Sequence, residues 1–148
     1  MAARLSTGLL NKLMDTGSFK TLFSGCFIDF YTGTQPATAD AAATGTKIAT
    51  MYSDGTSTGL TFEASATAGV LEKNASETWS GTTIAAGTIG YFRMREATDA
   101  GTASSSTAVR YDGAVNTSGA ELNMKVTDFE VGEPIVLKTF SATMLQPA

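Results

Sequence analysis

Few residues in this sequence have the type and spacing to do chemistry. Histidine is absent and cysteine occurs once, at Cys26, in a chain of 148 residues. That removes the usual ligands of zinc, copper and haem, the Ser-His and Cys-His nucleophile systems, and any disulfide framework. Gly45-Thr46-Lys47 has a superficial likeness to the end of a phosphate loop, but the earlier glycine is missing and strand signals lie on both sides. The carboxylates Asp29, Asp40, Asp54, Glu63, Asp99 and Asp112 are scattered among turn signals, which suits caps and Asx turns better than a calcium loop or a glycosidase pair. Asn74-Ala75-Ser76 and Asn116-Thr117-Ser118 match the glycosylation pattern without a secretion signal to give it context. Arg93 and Arg95, beside Tyr91 and Phe92, suggest a nucleic-acid platform. On a chain of net charge −4 with no Lys/Arg cluster, pairing with cross-strand carboxylates, or a subunit contact, reads better. Cys26 alternates with apolar neighbours as a small buried hydrophobe does. The expectation is a protein without catalytic residues, cofactor or metal, and with neither nucleic acid nor membrane as partner.

The elements that must position these residues are mostly short strands. Ser6 is a candidate N-cap, with Leu5 and Leu10 at staple positions and Leu9, Leu10, Leu13 and Met14 as an apolar stripe that Gly17 ends. Phe19, Leu22 and Phe23 repeat the helical spacing over one turn. Residues 1–25 thus read as a helical arm, or as a lid on the open end of a sheet. From Cys26 the period becomes two, with Cys26, Ile28 and Phe30 on one face and Phe27, Asp29 and Tyr31 on a wetter one. A polar loop follows, in which Asp40 is placed to cap a single helical turn. Residues 47–52 alternate, Asp54-Gly55 signals a tight hairpin turn, and Leu60, Phe62 and Ala64 mark the returning strand. Trp79 reads as a core anchor. Residues 88–96 form the strongest strand, with Gly90, Phe92 and Met94 inward and Tyr91, Arg93 and Arg95 outward, or the reverse at a subunit contact.

Residues 97–107, small and polar, are expected to be an exposed and mobile loop, and Asp112-Gly113 to turn the strand that carries Val109 and Tyr111. Leu122, Met124 and Val126 alternate, and a last strand is expected to bury Val136, Phe140, Ala142 and Met144. No long helical period returns after Phe23, so the fold class is all-β. A mostly antiparallel β-sandwich over residues 26–148 is expected, with a jelly roll or partly closed barrel possible as variants.

The segments Gly33-Thr34-Gln35-Pro36-Ala37-Thr38-Ala39-Asp40, Trp79-Ser80-Gly81, Ala86-Gly87-Thr88-Ile89-Gly90-Tyr91-Phe92-Arg93 and Tyr111-Asp112-Gly113-Ala114-Val115 resemble small structural proteins of tailed bacteriophages and prophages, as do Ser118-Gly119-Ala120-Glu121-Leu122-Asn123 and Phe140-Ser141-Ala142-Thr143-Met144. The resemblance implies a virion protein assembled in the bacterial cytoplasm in many copies. Its implied role is capsid decoration or cement binding neighbouring capsid subunits, with a tail or head-to-tail connector component as the alternative. Its implied partners are the major capsid protein or tail and connector subunits, and further copies of itself. In such an assembly the candidate contact residues are Leu5, Leu9, Leu13, Phe19, Phe23, Tyr91, Arg93 and Arg95. Removing residues 1–25 is then expected to weaken incorporation more than folding. A carbohydrate-binding module presenting Trp79, Tyr91 and Tyr111 is a reading of a different class.

Overall fold

The alternating runs assemble into an all-β, antiparallel, sandwich-like fold with a short helical segment near its start. The computed structural model describes residues 3–144; the outermost ends of the two expected segments, 1–2 and 145–148, lie outside the described residues. Along the chain come β1 (Arg4–Leu5), α1 (Thr7–Asp15), α2 (Phe19–Leu22), β2 (Phe27–Thr32), β3 (Lys47–Met51), β4 (Val70–Glu72) and β5 (Trp79–Thr82). Then follow β6 (Gly87–Arg95), β7 (Arg110–Asn116), β8 (Leu122–Asn123), β9 (Asp128–Phe129), β10 (Pro134–Leu137) and β11 (Ser141–Thr143). The main sheet runs β1-β7-β6-β2-β3, with β8 parallel to β7 and β9 antiparallel to the start of β6. The pairs β10-β5 and β11-β4 form the smaller layer.

The core lies between these layers. Ile28, Phe30, Phe92 and Met94 from the main sheet meet Leu71, Trp79, Ile135, Leu137 and Phe140. Phe140 joins them, its ring centroid 5.4 Å from Phe92 and 5.6 Å from Trp79. Each such side chain contributes about 1.5–3 kcal/mol by leaving water. The indole N–H of Trp79, which would be costly to bury unpaired, donates to the Glu77 carboxylate at 2.7 Å. Cys26 is a buried thiol in this core, and burial raises its pKa far above the ordinary value.

Residues 3–25 belong to the same core. Ser6 caps α1, its hydroxyl accepting the Leu9 amide at 3.1 Å and the Arg110 amide at 2.9 Å while donating to the Ala108 carbonyl at 2.7 Å. Gly8 lies so close to the backbone of Thr107 and Ala108 that a Cβ would collide with both carbonyls. Leu9 and Phe23 are fully buried, so packing runs unbroken across the boundary expected at residue 25. The apolar stripe of α1 is narrower than its spacing suggests, because Leu10 and Met14 point to solvent.

Four local expectations are corrected. β7 passes straight through Asp112-Gly113, where a turn was expected, because Gly113 lies opposite Phe92 and a Cβ there would come within 2.5 Å of the ring. The turn after β3 forms, with the Asp54 carboxylate accepting the amides of Thr56, Ser57 and Thr58 at 2.9–3.0 Å, but residues 60–64 do not return along β3. Leu60 and Phe62 instead make single bridges to Cys26 and Lys73, while Ser80 bridges Tyr52 and the Ile84 amide bonds to Ile48 on the outer edge of β3. Asp40 caps no turn after itself; its carboxylate accepts the Thr7 amide at 2.7 Å, at the start of α1. Near the C-terminus Ile135 and Leu137 are the buried residues of β10, and Val136 faces out with half of its surface exposed.

Candidate interaction surface

The second face of the main sheet is not the wet face its alternation suggests. One transverse row crosses five strands as Thr50, Asp29, Arg93, Asp112 and Arg4, each directly opposite the next. Arg93 and Asp112 are fully buried and joined by a fork, Nε to Oδ1 at 2.9 Å and one terminal nitrogen to Oδ2 at 2.7 Å. The third nitrogen of Arg93 donates to the Gly101 carbonyl at 2.8 Å. Asp29, also fully buried, takes Arg95 at 2.6 Å, Lys47 at 3.1 Å and the Thr50 hydroxyl at 2.6 Å. Arg95 and Arg110 stand opposite each other across β6 and β7, and residue 99 keeps them apart in charge: its carboxylate accepts both ends of the Arg110 fork and its carbonyl accepts from Arg95.

Two loops seal this layer. Segment 33–46 gives Arg110 the carbonyls of Ala39 and Ala41, and Arg4 that of Ala37. Its Thr44 exchanges two hydrogen bonds with the Tyr91 hydroxyl, at 2.7 and 2.9 Å. Segment 97–107 supplies the carbonyls of Asp99, Gly101 and Ala103 to three arginines, so the loop expected to be mobile is tied at its base although its outer residues are exposed. The loops bond each other through Ala43 to Thr102 and Ser105 to Asp40. Burial raises the Asp112 carboxyl above its ordinary value against the pull of Arg93, and burial raises Tyr31 and Tyr91, which stack at 5.1 Å. Burial works the same way on Asp99, but the Arg110 fork outweighs it and holds that carboxyl below its ordinary value.

Of the residues expected to meet a neighbour, Leu9, Phe23, Tyr91 and Arg93 have no surface left to offer, because the chain's own layers enclose them. Leu5, Leu13, Phe19 and Arg95 are partly buried, the first three against the core and Arg95 in its pair with Asp29. Trp79 and Tyr91 are fully buried and Tyr111 nearly so, which removes the three rings a sugar site would present. The pairing of Arg93 and Arg95 with carboxylates is the cross-strand arrangement the sequence favours.

The exposed apolar surface lies elsewhere. Leu10 and Met14, one turn apart on α1, are 50% and 87% exposed. Val126 and Val136 are exposed on one groove, and Val131 and Ile84 are exposed as well. A groove of about 420 Å³ runs between residues 122–129 and β10, and an apolar groove of about 360 Å³ lies between α2, Leu71, Tyr111 and Met144. Val136 and Met144 were expected to be buried with Phe140 and Ala142, but both are about half exposed, and Leu10 and Met14 leave the apolar stripe of α1 for solvent. Nothing in a periodic pattern tells which side of a short element is covered. Among the described residues, no helix is long and apolar enough to cross a membrane. Compared with family models, curated proteins and solved structures, the chain gives no match.

Proposed function

We propose that this chain is a structural component of a many-copy assembly, and, following the resemblance of its segments, a tailed-phage virion protein that binds neighbouring capsid subunits as decoration or cement. One observation carries the reading. The charged side chains that sit together are occupied by one another and by loop carbonyls, whereas large apolar side chains are presented to water on α1 and around β10. Contiguous exposed apolar surface marks interaction sites, and many copies multiply weak contacts. Under this proposal α1 contacts its neighbour through Leu10 and Met14, the face opposite the one that holds the core.

The test follows from that geometry. Removing residues 1–25 would extract Leu9 and Phe23 from the core, so it cannot separate docking from folding. Leu10→Ser with Met14→Ser leaves the core untouched. Particles assembled with this variant should carry much less of the protein than particles assembled with the natural chain, at equal expression and equal melting temperature. Equal occupancy would overturn the role given to α1, and absence of the natural chain from purified particles would overturn the proposal.

A further inference from the structure

The smaller layer ends in an open edge. Among the described residues β10 pairs with β5 alone, and the groove beside it is lined by Leu122, Met124, Val126, Phe129, Val136 and Leu137. The Thr83 amide donates to the Glu133 carbonyl at 2.9 Å, and the register continues through Ile135 opposite Gly81 and Leu137 opposite Trp79. Hydrogen-bonded and non-bonded pairs alternate in an antiparallel ladder, so the amide and carbonyl of Val136 turn away from β5 toward this groove. Pro134 has no amide to offer, so an added strand finds outward donors on β10 only at the residues after it. Lys125 and Lys138 also line the groove; both are exposed, and neither takes part in an ion pair among the described residues.

We infer that this groove receives an extended segment of a neighbouring polypeptide, in which apolar side chains alternate with carboxylates, as an added strand on β10. Main-chain bonds to Val136 set its direction, alternate side chains enter the apolar floor, and the carboxylates meet Lys125 and Lys138. A basic segment would place like charges together and is selected against. The inference rests on the assembly reading only for the source of the segment.

The test uses the full chain and an array of nine-residue synthetic peptides with alternating Glu/Val, Glu/Ser or Lys/Val. Glu/Val peptides should be retained at least ten-fold better than either control, and retention should weaken as salt rises. Amide shifts on binding should centre on Val136 and Lys138 and leave α1 unmoved. Val136→Pro, which removes the outward amide, should abolish retention. Lys125→Glu with Lys138→Glu, which alters only exposed side chains, should reverse the preference toward Lys/Val. Equal retention of Glu/Val and Glu/Ser peptides, indifference to both variants, or shifts away from β10 would overturn the inference. Since α1 is not involved, such a result leaves the particle-occupancy test of the proposed function standing.

Discussion

The two faces of the main sheet bury the same strands by opposite means. On one, Ile28, Phe30, Phe92 and Met94 pack against aromatic and aliphatic side chains of the smaller layer. On the other, Arg93 pairs with Asp112, Arg95 with Asp29 and Arg110 with Asp99 beneath loops 33–46 and 97–107. The apolar face needs only shape and tolerates conservative change. The charged face needs every partner, because a buried charge left alone has lost its water and gained nothing. That asymmetry also explains why small, polar loops are held: the arginines need acceptors, and the loop carbonyls provide them.

The largest effects should come from breaking a pair on the charged face. Asp112→Ala leaves the Arg93 guanidinium buried without its fork and should destabilise the fold by about 3–5 kcal/mol, read from urea unfolding. Trp79→Ala on the apolar face should cost a similar amount, about 3–5 kcal/mol, through the cavity it leaves. Gly113→Ala forces a methyl into the Phe92 ring and should cost about 1–3 kcal/mol; Phe92→Leu in the same chain should recover part of it. Ser6→Ala removes the α1 cap and should cost about 1 kcal/mol or more, since the same hydroxyl also serves Arg110 and Ala108. Leu10→Ser with Met14→Ser should stay within about 0.5 kcal/mol of the natural chain, as exposed positions do.

Acid sharpens the contrast. The Asp99 carboxyl lies below its ordinary value in the folded chain, so the unfolded chain takes up its proton first as pH falls. Its stabilising contribution is complete above the ordinary aspartate value of about 3.9 and is lost as pH drops through the lower folded value. Asp54, held down by three backbone amides, acts in the same direction. Asp99→Asn should flatten the acid limb of stability against pH, and Arg110→Met should do the same by removing the cause.

The sequence made the apolar face readable and the charged face only half so. Period-two alternation is enough to place Ile28, Phe30, Phe92 and Met94 together, and Ser6 announces its cap by type and position. Arg93 and Arg95 could be assigned carboxylate partners in kind, but not which ones, since register is a property of the whole sheet. Charged residues inside three strand-like runs, at Asp29, Arg93 and Asp112, were the available signal that one buried layer is ionic. Gly113 misled because glycine beside aspartate signals a turn, and only the ring of Phe92 across the ladder gives it another reason to be there. The exposure of Leu10, Met14 and Val136 was out of reach, because it depends on which side of a short element the rest of the chain covers.

A double-mutant cycle at Arg93 and Asp112, followed by chemical unfolding, tests most directly whether the charged residues serve the fold. Arg93→Met and Asp112→Leu should each be strongly destabilising alone, and the double variant should recover most of the loss, giving a coupling of several kcal/mol. Single variants as stable as the natural chain, or losses that simply add, would contradict the account and return these side chains to the list of groups free to act on something else.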